Sequence, residues 1–170
     1  MSKKLTILFI PNNGVGHVNA SIGIATALAR QGHRVIFVVR QLWASMITYH
    51  GLEVSLIDDP VNNDLGNEMT SKVMQTEILS ADMSTGLSPS DKLMKMADIW
   101  KTKVDEQIEL DGLLERIIPS IEPDLIVMDQ LLALPYVQAL GIPYVWVCSG
   151  NPLNLLDDPR TPPSFSGRYI

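Results

Sequence analysis

Two uninterrupted apolar runs near the start of this 170-residue sequence constrain its fold more than any other feature. Residues Leu5–Ile10 and Arg34–Val39 are rich in Leu, Ile, Val and Phe, and apolar and polar positions do not alternate in them. Such strands are typical of a parallel sheet that is covered on both faces. Between them, the apolar positions of Val18–Arg30 recur at helical spacing, and Gly32 is suited to a left-handed helix cap. The first forty residues therefore predict a β-α-β unit.

Strands and helices continue to alternate along the rest of the chain. A short helix is predicted over Gln41–His50 and a third strand over Leu52–Ile57. Residues 61–86 predict a loop and a loose helix, and a long helix is predicted from its capping residue Ser88 to Pro119. The remaining predicted elements are a strand over Asp124–Asp129, a helix over Leu131–Leu140 and a strand over Pro143–Cys148.

Five strands separated by helices predict a doubly wound, Rossmann-like α/β sheet with helices on both faces. Right-handed crossovers and the common topology give the strand order 3-2-1-4-5. We expect residues 1–150 to form this domain and residues 151–170, which are rich in Pro, to form a loop segment. Strands 1 and 4 then meet at the topological switch point, where ligands of such folds bind.

Two sets of apolar residues lie outside the strands, and for one of them an alternative role is open. Met69, Met74 and Met83 either pack in the core or line an adaptable apolar ligand pocket, a use that suits flexible thioethers. For the stripe along the long helix we expect core packing; its members are Leu93, Ala97, Trp100, Val104, Ile108, Leu114 and Ile118.

Composition argues against several classes of function. The net charge is −6 and no basic cluster is present, so we expect no binding to nucleic acid. No Cys/His cluster has zinc spacing, and the single cysteine, Cys148, is expected to be a small buried residue. No apolar run approaches the roughly 18 residues of a membrane span, and the first strand lacks the features of a secretory signal. We therefore expect a cytoplasmic protein with no transmembrane segment.

A histidine and an aspartate are predicted to meet at the switch point. His17 follows the first strand and Asp129 ends the fourth, and adjacent strands lie roughly 5 Å apart. A carboxylate in that position fixes the tautomer of an imidazole and stabilises the imidazolium that forms when it accepts a proton. The pair therefore predicts a general base, His17, oriented by Asp129.

The loop with Gly14 and Gly16 has an alternative interpretation as a nucleotide-binding loop. A dinucleotide fingerprint requires a third glycine at position 19, where this chain has Asn19, and favours an acid after strand 2, where it has Arg40. Because an arginine suits a 2′-phosphate, an NADP-dependent oxidoreductase is disfavoured but left open. The other histidines, His33 and His50, flank glycines at helix ends and are expected to be structural.

Three segments carry a resemblance to a known family. "GVGHVNASIGIATALARQGHRVIFVV" resembles the first β-α-β unit of the UDP-glycosyltransferases, which show a Gly-His pair after strand 1. "PDLIVMDQLLALPYVQALGIPYVWV" is similar to the fourth and fifth strands of that family, with its orienting aspartate at Asp129. "PPSFSGRY" is similar to the Pro-Ser segment after strand 5 of animal-type members.

The resemblance implies the N-terminal, acceptor-binding half of the two-domain GT-B architecture. It implies an inverting transfer from a UDP-sugar to a hydroxyl of a small lipophilic acceptor, with His17 as base and Asp129 as its orienting partner. It implies no metal and no cofactor beyond the donor substrate. The residues expected to contact the acceptor are Gly16, Asn19, Asp58, Met83, Leu87, Ser149, Gly150 and Asn151.

The sequence departs from the family by lacking the Trp/His/Gln-rich signature of the donor-binding domain. We therefore expect a fragment or one half of a split enzyme, with little or no transferase activity by itself. A non-catalytic small-molecule-binding module or subunit on the same fold is the alternative.

Overall fold

The computed structural model describes residues 3–57, 86 and 88–149. Helices and strands alternate along these residues in the predicted order. The elements are β1 (Thr6–Pro11), α1 (Val15–Arg30), β2 (Arg34–Val39), α2 (Gln41–Tyr49), β3 (Glu53–Leu56), α3 (Pro89–Ile121), β4 (Leu125–Asp129), α4 (Pro135–Ala139) and β5 (Tyr144–Trp146).

The strands of the described residues form one parallel sheet in the order β3-β2-β1-β4-β5, which confirms the predicted doubly wound fold. β1 lies in the middle, between β2 and β4. Its register with β4 runs from Ile7 opposite Leu125 to Pro11 opposite Asp129. The two strands whose carboxyl ends define the switch point therefore finish side by side.

Each face of the sheet has its own apolar cluster, because successive side chains of a strand point to opposite faces. On one face, Phe9 stacks on Phe37 at a ring distance of 5.0 Å and packs with residues of α1 and α2 such as Ile22 and Ile47. On the other, Leu8 and its neighbours pack with residues of α3 and α4, which are Leu114, Ile118 and Val137. This double cover explains why the strand sequences show no alternation.

The prediction that the α3 stripe packs in the core is wrong for most of its length. Leu114 and Ile118 are buried, whereas Leu93, Trp100 and Ile108 are exposed. Only the last turns of α3 pack on the apolar cluster around Leu8. Periodicity therefore identifies the apolar face of this helix but not how much of that face is buried. The three methionines with the alternative pocket role lie outside the described residues.

Several predicted boundaries differ from the structure. The long helix continues past Pro119 to Ile121 and ends where Glu122 adopts a left-handed φ of 50°. Pro119 has no N–H to donate, but Glu122 N–H still donates to the carbonyl of Ile118 at 3.1 Å, so the helical pattern continues beyond the proline. Gly32, with φ of +87°, is the predicted left-handed cap residue after α1.

The last two elements are shorter than predicted. The helix predicted over Leu131–Leu140 begins only at Pro135, a residue suited to a first helical turn, and the fifth strand covers three residues. Among the described residues β5 lies at the edge of the sheet and pairs only with β4, and its side chains are exposed. Cys148, expected to be buried, lies just beyond that edge and is exposed as well.

Candidate active site

The loop between β1 and α1 is tied to the end of β4. Asn12 N–H donates to the backbone carbonyl of Asp129 at 2.7 Å, and Gly14 N–H donates to the carbonyl of Asn12 at 2.8 Å. The indole Nε1–H of Trp43, on α2, donates to Asn13 Oδ1 at 2.7 Å. The loop is therefore held from two sides, and its path into α1 is fixed relative to Asp129.

His17 lies in the first turn of α1, which begins at Val15 rather than at the predicted Val18. Its Nδ1 is 2.9 Å from Oδ2 of Asp129, so the structure brings the two predicted residues together across 112 positions of sequence. The Asp129 side chain is 5% exposed and that of His17 is 25% exposed. The carboxylate is thus sequestered while the imidazole remains accessible to a ligand.

The charge of Asp129 determines the tautomer of His17. Burial by itself raises the pKa of the Asp129 carboxyl, but hydrogen bonds from His17 and Ser149 outweigh it and hold that pKa below its ordinary value. An ionised carboxylate only accepts hydrogen bonds, so Nδ1 carries the proton that faces Oδ2. Nε2 is then the unprotonated, basic nitrogen, and it makes no hydrogen bond to any described residue.

Ser149, predicted to contact an acceptor, contacts the His17–Asp129 pair in the structure. Its Oγ is 2.8 Å from Nδ1 of His17, and its backbone N–H donates to Oδ1 of Asp129 at 3.3 Å. In a Ser-His-Asp hydrolase the serine and the carboxylate engage different ring nitrogens. Here both oxygens face Nδ1, so the three residues do not form a nucleophilic triad.

A shallow, partly open cleft of about 50 Å³ lies near the loop that carries His17. It lies at the carboxyl ends of β1 and β2, and α3 forms its other wall. Polar and apolar groups both line it: Asn12, Asn13, Arg40, Trp43, Gln107, Leu110 and Gln130 are among its residues. The Arg40 side chain is 13% exposed and lies 3.8 Å from the Glu109 carboxylate.

The remaining predicted site residues are only partly within the described chain. Gly16 and Asn19 lie on the exposed first turns of α1. Residues 58, 83, 87, 150 and 151, which are Asp58, Met83, Leu87, Gly150 and Asn151, lie outside the described residues. His33 accepts a hydrogen bond from Leu5 N–H through Nδ1 at 3.1 Å, which agrees with a structural role. His50 follows α2 and packs edge-on against Tyr49.

Two residues of the site were not predicted from the sequence. Trp43 anchors the loop and lines the cleft, and Gln130 is buried and donates through Nε2 to the carbonyl of Ile10 at 3.1 Å. Gln130 could have been predicted, because it follows Asp129 directly at the end of a strand. Trp43 has no comparable signal, because it lies within a helix whose orientation depends on tertiary packing.

The described residues contain no group of three side chains arranged to hold a metal ion. A helix long and apolar enough to cross a membrane is also not found among them.

The fold and the site therefore define a class of protein. It is a doubly wound α/β domain with a His–Asp pair at its switch point. Several solved structures with a similar fold are described as glycosyltransferases. The glycotransferase of kitacinnamycin aligns over 84% of this chain with 21% identity and a TM-score of 0.54. SsfS6, from Streptomyces sp. SF2575, covers 82% with 18% identity and a TM-score of 0.50, and VinC, solved with DTDP, covers 84% with 16% identity and a TM-score of 0.52.

These structures share the GT-B fold, and the chain has that fold over a part consistent with its N-terminal domain. The chain spans 30%, 38% and 34% of the three structures, in the order named. No protein-family model matches the sequence, and a search of curated proteins found no match.

The first glycine of the loop, Gly14, is predicted to set the position of the His17 ring. A Cβ at Gly14 would lie 3.3 Å from Cδ2 of His17, whereas a Cβ at Gly16 would meet nothing within 4 Å. We expect Gly14→Ala to shift the ring and change the Hδ2 and Cδ2 chemical shifts of His17. Gly16→Ala is the matched control: it should leave those shifts in place and stabilise α1 by up to about 1 kcal/mol. Equal effects of the two variants on the ring would contradict this role of Gly14.

The stability of the domain should depend on the ionisation of Asp129 at acid pH. Because folding lowers its pKa, the charged carboxylate stabilises the fold above the unfolded pKa of about 4, and that contribution is lost as the pH falls through the folded pKa. Urea unfolding at several pH values should show the free-energy difference between wild type and Asp129→Asn shrinking below about pH 4. Glu115→Gln, at an exposed position of α3, is the control. A difference that is constant with pH would refute the linkage.

Proposed function

We propose that this chain is the acceptor-binding half of an inverting glycosyltransferase that moves a sugar from a nucleotide-sugar to a hydroxyl of a small lipophilic acceptor. The GT-B fold supports glycosyl transfer in general, and the resemblance of the sequence to the UDP-glycosyltransferases supports the inverting mechanism. The proposal depends above all on one observation. The Nδ1 atom of His17 lies 2.9 Å from Oδ2 of a buried aspartate, which leaves Nε2 as an accessible base at the switch point.

In the proposed reaction, Nε2 of His17 accepts the proton of the acceptor hydroxyl. The oxygen attacks the anomeric carbon of the sugar, and the bond from that carbon to the phosphate oxygen breaks. The nucleoside diphosphate leaves with the electron pair, and the transition state has oxocarbenium character. Asp129 stabilises the imidazolium by accepting the hydrogen bond from Nδ1–H, and it keeps its own negative charge.

We place the acceptor in the cleft beside the loop. Trp43 and Leu110 offer apolar surface there, and Asn12, Gln107 and Gln130 provide polar groups, a mixture that suits a small lipophilic molecule with a few hydroxyls. His17 does not line this cleft, but Asn12 and Asn13 do and precede it on the same loop, so the proposal requires the acceptor to extend past them to the base. Contacts from Gly16 and Asn19 are part of the same proposal.

The donor is proposed to bind mainly to a second domain. The 170-residue chain spans about a third of the glycosyltransferases it resembles in fold, so we expect it to transfer little sugar when tested alone. A UDP-sugar is the donor that the sequence resemblance favours. VinC was solved with DTDP, so a thymidine-linked sugar is the second donor to test. A cytoplasmic location agrees with both donors and is likewise a proposal.

Substitution of the proposed base should reduce sugar transfer without preventing acceptor binding. Positioned general bases contribute about 100-fold to 10,000-fold, so His17→Ala should lower kcat by that factor. The assay uses the complete protein that contains these residues, 4-methylumbelliferone as acceptor, and UDP-glucose or dTDP-glucose as donor. The matched control is His50→Gln, a histidine on an exposed turn outside the site.

Undiminished turnover by His17→Ala would remove His17 from its role. Acceptor binding without transfer from either donor would favour the alternative of a non-catalytic binding module.

Removal of the Trp43 ring should weaken acceptor binding more than it slows transfer. Trp43→Ala removes apolar surface from the cleft, so the KM for 4-methylumbelliferone should rise about tenfold or more. Trp43→Phe is the control, because it also loses the 2.7 Å hydrogen bond to Asn13 but keeps an aromatic ring in the cleft. If Trp43→Phe raised KM as much as Trp43→Ala, Trp43 would act through the loop and not through the acceptor.

A further inference from the structure

The chain carries Ser149 to the His–Asp pair by extending the pairing of the edge strand. Val147 N–H donates to the carbonyl of Met128 at 2.8 Å, so the ladder between β4 and β5 continues one residue beyond Trp146. The indole Nε1–H of Trp146 donates to the carbonyl of Gln130 at 2.8 Å. One bond to the residue before Asp129 and one to the residue after it thus fix the end of β5. Ser149 follows two residues after Val147.

Ser149 closes a ring of contacts with both members of the pair. Its Oγ faces Nδ1 of His17 at 2.8 Å, and its backbone N–H reaches Oδ1 of Asp129 at 3.3 Å. The second carboxylate oxygen, Oδ2, faces the same Nδ1 at 2.9 Å. Each oxygen of the carboxylate therefore has a donor, and the imidazole nitrogen has an oxygen neighbour on two sides.

We propose that Ser149 is a positioning residue that holds the His17 ring in its place and in the Nδ1–H tautomer. This inference rests on the proposed function and assigns Ser149 to the base instead of to the acceptor. Because Nδ1 carries a proton toward Oδ2, the serine Oγ accepts from the same N–H, and its own hydroxyl proton is available to the Asp129 carboxylate, whose pKa the Ser149 side chain helps to lower. Rotation of the ring breaks both contacts at Nδ1, whereas a move of the proton to Nε2 breaks only the contact with Oδ2, because a serine hydroxyl can also donate. Ser149 therefore acts by holding the ring against Asp129, and the carboxylate then favours the state in which Nε2 is the base.

The proton arrangement of the ring can be measured directly in the 170-residue chain. Long-range ¹H–¹⁵N spectra distinguish the two neutral tautomers of each histidine. His33 provides an internal reference of the opposite kind, because its Nδ1 accepts from Leu5 N–H at 3.1 Å and its proton therefore lies on Nε2. We expect His17 to show the Nδ1–H tautomer in the wild type. In Ser149→Ala its signals should move toward the average of the two tautomers, and Ser149→Thr, which keeps the hydroxyl, should restore them.

The kinetic part of the test uses the complete protein with the same acceptor and donors. Ser149→Ala should lower kcat by about tenfold to a hundredfold with little change in the KM for the acceptor, because the loss is in alignment of the base. Ser149→Thr should retain most of the rate. The backbone N–H to Asp129 is present in both variants, so the difference between them reports on the hydroxyl.

Three results would overturn the inference. Unchanged His17 signals with an unchanged kcat would show that the hydroxyl is dispensable. A rise in KM with an unchanged kcat would return Ser149 to the acceptor-contacting role predicted from the sequence. A fall in kcat with unchanged ring signals would mean that the hydroxyl acts on a substrate. Should the complete protein transfer no sugar, the proposed function fails, whereas the ring signals still decide the role of Ser149.

Discussion

The parallel pairing of β1 with β4 is the constraint on which the rest of the site depends. The register places Pro11 opposite Asp129, so β1 leads into the loop at the level where β4 carries the Asp129 carboxylate. The bond from Asn12 N–H to the Asp129 carbonyl continues that pairing one residue into the loop. A shift of one residue in this register would reverse which face each side chain of β4 occupies. The His–Asp contact is thus a consequence of sheet register and does not depend on the two residues' distance in sequence.

The two apolar clusters fix that register. Odd-numbered residues of β1 contribute to the cluster under α1 and α2, and even-numbered residues contribute to the cluster under α3 and α4. Since both faces are filled, neither strand can slip without exposing a full set of large side chains to water. The position of the proposed base is therefore stabilised by buried core residues such as Phe9 and Leu8. The carboxylate also benefits, because a buried Asp129 needs donors that do not move, and the backbone and ring supply them.

The sequence predicts this central architecture well because each clue to it is local and repeated. Unbroken apolar runs indicate doubly covered strands, helical spacing gives α1, and topology then joins His17 to Asp129. The sequence predicts less well wherever the outcome depends on tertiary cover. The stripe on α3 has correct periodicity, yet Leu93 and Ile108 are exposed because periodicity does not reveal what lies over a face. The prediction that Cys148 is buried is wrong for a similar reason, since strand order alone does not show that the side chains at the end of β5 are exposed among the described residues. The contacts of Ser149 with His17 and Asp129 are not visible in the sequence, because contacts among side chains at strand ends depend on the exact path of the chain.

The loop before α1 illustrates how two glycines in one motif can have different reasons to be there. A phosphate-binding loop uses glycines so that backbone can approach the ligand. Here Gly14 has extended dihedral angles that any residue adopts, so its backbone conformation does not require glycine. What requires a small residue is the imidazole, whose Cδ2 would lie 3.3 Å from an added Cβ. Gly16 has open space around it and no such neighbour. Gly14 is therefore explained by the close approach of the His17 ring that faces Asp129, and nothing among the described residues explains Gly16. The bonds to Asn12 and Asn13 hold the rest of the loop in its path.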